Sequence, residues 1–272
     1  MGKTVRKVSF YMVIAITSII SIIPFYIIFS MATHSTTEIY RADLLRFGDQ
    51  LLVNMKTIFD GGFGRYYINT IYVAVLSAVS SVLVCSMTAY GITIYQFKQK
   101  NAVKQFIMAS MMIPGQICLI GYTIEMRQLH MINTHAPLIF TWLASAYGVF
   151  FMVQYMSKSL PMELIESARI DGSGELRTFF SVALPLIRPA IGTLFMLIFL
   201  WSWNNFLMPS TVITNSAKFT LPLGIQTLST AYRDDWGARG AALALTVIPL
   251  LIVFSCGSKY FIKGIAAGAV KG

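Results

Sequence analysis

The residues best equipped for chemistry crowd into one stretch of 29, "PMELIESARIDGSGELRTFFSVALPLIRP", which begins at Pro161. Four acids, three arginines, two glycines and three prolines sit there in an otherwise oily chain. Carboxylates and guanidinium groups at this density favour ionic recognition, because charge-assisted hydrogen bonds are the strong ones. Bond-breaking chemistry would need a nucleophile with a base, or a metal cluster. His34, His130 and His135 form no HExxH and have no cysteine near them in sequence. His130 and His135, five apart in a short outer loop, are expected as a surface pair. Cys85, Cys118 and Cys256 make an odd number with no CxxC, and they are expected as buried thiols inside apolar spans. Neither GxxxxGK[ST] nor GxGxxG occurs, so no nucleotide fingerprint is present. No cofactor, no metal site and no catalytic residue is expected.

Local rules shape this polar knot. Pro161 suits the first turn of a helix, where its missing N–H costs little. Glu163 and Glu166 follow near that N-terminus, where the helix dipole favours acids by about 0.3–1 kcal/mol each. Glu166 and Arg169 are three apart and can pair. Asp171 and Gly172 should stop the helix, glycine taking the left-handed turn at no steric cost. Leu176, Phe179, Phe180, Ala183 and Leu184 then recur with helical spacing, and Pro185 and Pro189 should end that second helix. The expectation is a helix-turn-helix lying along a membrane surface.

The elements around the knot are set by composition. The chain has 272 residues, of which 56% are hydrophobic and 12% charged, with mean hydropathy +0.67. Soluble domains carry roughly 25% charged residues, so a bilayer is the expected solvent. About 20 apolar residues in a helix cross a hydrocarbon core of about 30 Å. Six such spans are expected near residues 10–31, 68–95, 106–124, 137–156, 189–208 and 241–261, giving an all-α polytopic fold with the knot between spans four and five. Pro24, Pro114 with Gly115, and Pro249 should kink them. The alternating ten-residue strands of a membrane barrel are missing. The first apolar stretch exceeds 20 residues, longer than the core of a signal peptide, and is expected as an uncleaved anchor.

Lysine and arginine placement sets orientation. Thirteen of the 21 basic residues fall on one side: Lys3, Arg6, Lys7, Lys98, Lys100, Lys104, Lys158, Arg169, Arg177, Arg188, Lys259, Lys263 and Lys271. That side, with both termini and the knot, is expected to be cytoplasmic. The formal charge of +10 then reflects topology and lipid headgroup contact. No basic stretch is interleaved with aromatics, so nucleic acid is not an expected partner. Acids are nearly absent from the middles of the spans, where ion-coupled carriers place them, and Glu125 lies at an outer end. The energy source is therefore expected on another polypeptide.

The order of residues in the knot resembles the EAA signature of ABC-importer membrane subunits, roughly E-L-x-E-A-A-x-x-D-G-A-S, then F, then L-P-L-x-x-P. Glu163, Leu164, Glu166, Ala168, Asp171, Gly172, Phe180, Leu184, Pro185, Leu186 and Pro189 match; Ser167 and Gly174 depart from it but keep small residues. "FLWSWNNFLMP", "FTLPLGIQTL" and "KYFIKGIAAGAVKG" are similar to segments of the carbohydrate-uptake group, the maltose-type permeases. Thr33–Asn54 departs, lacking the proline-rich segment common after the first span. The resemblance implies a non-catalytic permease working by alternating access, with a second homologous permease, two ATPase subunits and an external sugar-binding protein. It implies that Glu163, Glu166, Ser167, Ala168, Asp171, Gly172 and Phe180 couple the chain to an ATPase, and that the outer loop Ser210–Gly240 helps dock the binding protein. It divides the chain into an anchor and outer loop, 1–67, and a transport domain, 68–272, that contains the coupling segment 161–189. A permease for another solute (glycerol phosphate, polyamine or peptide) and a self-sufficient carrier or channel are the alternatives.

Tyr122, Trp201, Trp203, Asn204 and Asn205 are candidate solute-pathway residues, because aromatics stack on sugar faces and amides bond hydroxyls. Interfacial anchoring and helix-to-helix bonding are the competing roles. Ala74, Ser77, Ala78 and Ser81 form a small-residue face expected to serve packing.

The charge bias makes a direct prediction. A reporter fused after Gly272 should behave as cytoplasmic, and one inserted near Asp49 as external, in paired fluorescence and alkaline-phosphatase fusions; the reverse pattern would invert every loop assignment.

Overall fold

The computed structural model describes residues 2–42, 44–230 and 233–269, and the chain is helical almost throughout. In order, the helices are α1 (Gly2–Met31), α2 (Thr36–Tyr40), α3 (Leu51–Asp60), α4 (Phe63–Ile94), α5 (Lys100–Met111), α6 (Gly115–Gln128), α7 (Ala136–Leu143) and α8 (Ala146–Ser159). There follow α9 (Met162–Ile170), α10 (Glu175–Thr178), a π-helical turn (Phe179–Ala183), α11 (Leu184–Leu186), α12 (Arg188–Trp203) and α13 (Leu207–Val212). A 3-10 turn (Ser216–Lys218), α14 (Leu221–Gln226), a two-residue antiparallel pair β1 (Ser229–Thr230) and β2 (Arg233–Asp234), and α15 (Trp236–Ala269) complete the chain.

By length and composition, four helical stretches can cross a membrane: Arg6–Met31, Phe63–Ile94, Ala136–Ser159 and Trp236–Ser258. Two further pairs qualify only when joined, α5 with α6 and Glu175–Leu186 with α12. A kink was expected in span three at Pro114 and Gly115, and the first of these pairs bends there by 98°; the second bends by 84° at Ile187, between Pro185 and Pro189, where the second short helix was expected to end. Pro114 explains the first. It lacks an N–H, drives the preceding residue away from helical angles, and itself adopts φ −61°, ψ 121° before Gly115 restarts the helix. Pro24 and Pro249, by contrast, lie inside unbroken α1 and α15.

The chain groups into two compact units, Met1–Tyr66 with Leu223–Pro249, and Tyr67–Pro222 with Leu250–Gly272. In the first, the loop that the sequence left open is built around one buried amide. Asn54 on α3 donates through Nδ2 to the carbonyls of Ala32 and His34, 2.9 Å each. Ser35 caps α2 and exchanges hydrogen bonds with Glu38, whose carboxyl is held below its ordinary range chiefly by the Ser35 backbone N–H. From α15, Gly237 and Gly240 press on the same turn: a Cβ on Gly237 would stand 2.3 Å from the His34 carbonyl oxygen.

In the second unit the small-residue face of α4 is wholly buried. Ala74, Ser77, Ala78, Ser81 and Cys85 have no exposed surface, as its expected packing role requires. Helices α5 and α12 pack on α8, and α13 packs on α6 and α7. Cys85 lies at the centre, its thiol 3.6 Å from the Ser145 carbonyl and 3.7 Å from the Ser81 hydroxyl. Cys118 and Cys256 are instead exposed, so the expectation of three buried thiols holds for Cys85 alone. Helical spacing assigned all three to apolar spans but not to inward faces. The side chains of Lys3, Lys259, Lys263 and Lys271 lie outside the described residues.

A Cβ on Gly148 of α8 would stand 2.8 Å from the Cys85 sulfur and 3.4 Å from a Leu194 methyl. Gly148→Val should therefore destabilise the second unit by about 1–3 kcal/mol through overpacking, read as a lower melting temperature of the purified protein. The same substitution at Gly121, which has nothing within 4 Å, should cost less.

Candidate functional site

The polar knot folds as two short helices joined by a tight turn. Pro161 stands at the N-cap of α9, one residue before the first turn expected for it, with φ −65° and an extended ψ of 128°. The helix ends in a Schellman motif: Ser173 N–H reaches the Ala168 carbonyl at 2.9 Å and Gly172 N–H the Arg169 carbonyl at 3.0 Å. Gly172 sits at φ +76°, the left-handed position its sequence context anticipated. The next helical run passes Pro185, ends at Leu186 and bends at Ile187, between the two prolines expected to end it. A π turn just before Pro185 accounts for this, since the wider turn draws away the carbonyl that a proline ring would otherwise strike.

The faces of α9 are unequal. Ile165 is fully buried and anchors it. Glu163, Glu166, Ser167, Asp171 and Gly172 are exposed, and Ala168 is half-buried. Ile170 is 86% exposed, with Leu164, Leu176 and Phe180 exposed nearby. Glu163, Glu166 and Asp171 have no ionic partner among the described residues. The expected Glu166–Arg169 pair does not form. Arg169 Nε instead donates to Glu175 Oε1 at 2.8 Å, which raises the guanidinium further above its ordinary value. The turn at Gly172 swings Glu175 back toward the last turn of α9, and Glu175 Oε2 also accepts from the Tyr90 hydroxyl at 3.5 Å. Arg169 lies 5.6 Å over the Tyr95 ring, and the Glu175 carboxylate pushes the Tyr95 phenol up. Sequence reasoning missed Tyr90, Tyr95 and Glu175 as members of this cluster; the tyrosines lie 85 and 80 residues before the carboxylate, and only the acid's place in the first turn of α10 signalled it.

A second arrangement forms where helices break. A cavity of about 260 Å³ is lined by Gly115, Gln116, Leu119, Thr141, Trp142, Asn205, Leu207 and Met208. It borders two interruptions, the Pro114 break and the gap between α12 and α13. Non-helical backbone at membrane depth is tolerated only where protein covers it or a water-filled cavity abuts it. Of the five candidate pathway residues, Asn205 lines this cavity, and its Oδ1 accepts from Met208 N–H at 3.2 Å, starting α13. Trp201 stacks on Trp142, centroids 6.1 Å apart, with Tyr147 edge-on at 5.2 Å. The Tyr122 hydroxyl donates to the Pro137 carbonyl at 2.7 Å, an acceptor shared with Thr141. Asn204 bonds the Leu200 carbonyl of its own helix. Trp203 is fully buried between Phe199 and Tyr67, away from the cavity lining. Gln116, Thr141 and Trp142 were not anticipated; the Pro114–Gly115 break beside Gln116 was the available signal. His130 is exposed, and His135 bonds the Lys218 carbonyl; among the described residues no group of acids, cysteines and histidines is gathered to hold a metal.

Known proteins share this plan. Residues 81–266 match the family described as "Binding-protein-dependent transport system inner membrane component". The chain is 32% identical over 241 residues to the arabinooligosaccharides transport system permease protein AraQ of Bacillus subtilis (strain 168), covering 85% of each chain. It is 29% identical over 262 residues to the lactose transport system permease protein LacG of Rhizobium radiobacter, covering 96% of this chain and 95% of that one. A solved chain of a bacterial ABC transporter involved in the import of the acidic polysaccharide alginate superposes with TM-score 0.84 at 20% identity, over 96% of this chain and 98% of the other, which establishes the shared fold.

The Gly172 turn is testable by itself. A Cβ there meets nothing within 4 Å, so strain would come from the backbone angle alone. Gly172→Val should cost about 1–2 kcal/mol and increase protease cutting near residue 172, while Gly172→Asn, which tolerates the left-handed region, should cost much less.

Proposed function

The chain belongs to the binding-protein-dependent transport system inner membrane component family, and from that premise we propose that it is one of two permease subunits of an ABC importer for a sugar or oligosaccharide. One observation carries the reading: α9 is held by a single buried residue while its acids and its apolar residues Leu164 and Ile170 stay uncovered. A merely solvated loop would not keep apolar side chains on its exposed face. A socket in another subunit fits both, with cations for Glu163 and Glu166 and apolar surface for Leu164, Ile170 and Phe180. In this reading α9 is the coupling helix. Ser167 and Ala168 allow close approach, and Asp171 and Gly172 set the turn. Two ATPase subunits supply the energy, and the pair of permeases alternates access between the two sides.

The α5–α6 pair counts as one broken span and α12 begins another, which makes six, with both termini cytoplasmic. Residues 68–272 form the transport domain and 1–67 the anchor and outer loop. The cavity at the helix breaks is the candidate pathway. It carries Gln116, Thr141, Trp142 and Asn205 but no charged side chain, which suits a neutral, hydroxyl-rich solute better than a phosphate ester or a polyamine. The permeases AraQ and LacG, named for arabinooligosaccharide and lactose transport, support the same class. Trp201 and Tyr122 steady the cavity wall, and Asn204 and Trp203 hold the end of α12. The loop Ser210–Gly240 is proposed to meet the sugar-binding protein; within it Ala231 and Tyr232 lie outside the described residues.

Glu166→Lys should leave the chain inserted in the membrane but release the ATPase on purification, since an acid-to-base change leaves a like charge in the socket. Trp142→Ala should keep the ATPase and raise the half-saturation for arabinooligosaccharide uptake about tenfold, the loss of one aromatic face. Insertion, ATPase retention and uptake are measured on one preparation. Normal retention and uptake with Glu166→Lys would remove the docking role.

A further inference from the structure

We propose that Arg169, Glu175, Tyr90 and Tyr95 form a strut that binds α9 to the end of α4, so that displacement of the docked helix is carried into that span. The proposal rests on the permease reading above and specifies how movement leaves α9.

The need for a strut follows from the size of α9. It has nine residues and one fully buried anchor, Ile165. A short helix held at one point would roll in place when a partner pushed it, and no displacement would reach the spans. A second fixed point at its far end turns it into a lever. Arg169, in its last turn, provides that point. Its Nε donates to Glu175 Oε1 at 2.8 Å, and its guanidinium carbon lies 5.6 Å from the Tyr95 ring centroid. Glu175 Oε2 accepts from the Tyr90 hydroxyl. One carboxylate therefore joins the end of α9, the start of α10 and the last turns of α4.

On the α4 side the strut is anchored by the packing of Tyr90. Tyr90 is 5% exposed and meets the buried Phe179 ring edge-on at 5.3 Å. Lys100 Nζ donates to the carbonyls of Thr93 and Tyr95 at 3.2 and 3.0 Å, closing the end of α4. Beside the carboxylate lies a cavity of about 140 Å³ lined by Met87, Tyr90, Gly91, Tyr95, Leu176 and Phe179 among others. Packing is incomplete there, so polar contacts hold α10 to α4 on that side. The ion pair is 34% and 44% exposed at its two ends, and pairs so exposed add little to global stability. Its geometric role and its contribution to folding are therefore separable by experiment.

The test needs no knowledge of the solute. The complete transporter, with its partner permease and ATPase, is reconstituted in liposomes. Cys118 and Cys256 are replaced by serine, and Thr141→Cys at the cavity reports access to a membrane-impermeant maleimide. Glu175→Gln should retain the ATPase and its ATP hydrolysis, and melt within a few degrees of the parent. The ATP-dependent change in labelling should fall about fivefold or more. Tyr90→Phe, which removes one hydroxyl, should lower it in the same direction. The reversed pair Arg169→Glu with Glu175→Arg should recover about half or more of the response. A full labelling response in both single variants overturns the strut. So does loss of the ATPase from Glu175→Gln and Tyr90→Phe alike, which would make the cluster part of the docking surface or of the fold. If the parent itself shows no ATP-dependent change, the permease reading fails.

Discussion

Hydrocarbon offers no hydrogen bonds, so a chain that enters it must satisfy its own backbone or cover every place where it does not. Much of this structure follows from that constraint. Helices α1, α4 and α15 obey it simply, and α1 and α15 carry prolines without breaking. The chain interrupts itself at Pro114 and again between α12 and α13. Both interruptions border the cavity that holds Gln116, Thr141, Trp142 and Asn205. Asn205 shows how the cost is met, for its side chain accepts from the Met208 N–H that the start of α13 leaves unpaired. The polar groups that repair the breaks are also those that line the proposed pathway.

In the proposed topology the segment between α8 and α12 faces the opposite solvent problem. In water the backbone needs no protection, and shape comes from local chemistry. Gly172 at φ +76° turns the chain, the Schellman bonds close α9, and dipoles favour Arg169 at one helix end and Glu175 at the start of the next. Exposed acids and apolar residues then share one short helix. The proposed coupling role draws on this combination, which is costly alone and favourable inside a complementary socket.

Close backbone approach serves both units. In one, Gly237 and Gly240 let α15 press against the turn that Asn54 ties down. In the other, Ala74, Ser77, Ala78, Ser81 and Cys85 give α4 a buried face thin enough for close packing, and Gly148 meets Cys85. Lipid tails are as apolar as leucine, so helices gain from dispersion and from small residues that shorten their separation rather than from expelling water.

The sequence by itself determined what depends on neighbours along the chain. Hydropathy and length marked the membrane-crossing helices, Pro161 and Gly172 marked the ends of α9, and the spacing of Ala74, Ser77, Ala78 and Ser81 marked a packing face, because each rests on backbone geometry within a few residues. Tertiary structure decided the rest. Pro114 breaks its span by 98° whereas Pro24 and Pro249 leave theirs unbroken; a proline's effect depends on whether its surroundings hold the helix straight or cover the freed carbonyls. Arg169 had two acids within reach, and the choice of Glu175 over Glu166 came with Tyr90 and Tyr95, which arrive from a helix some 75 residues away. Gln116, Trp142 and Asn205 likewise meet from three separate helices or their junctions. Such contacts are fixed by how spans pack across one another, and no local pattern encodes that crossing.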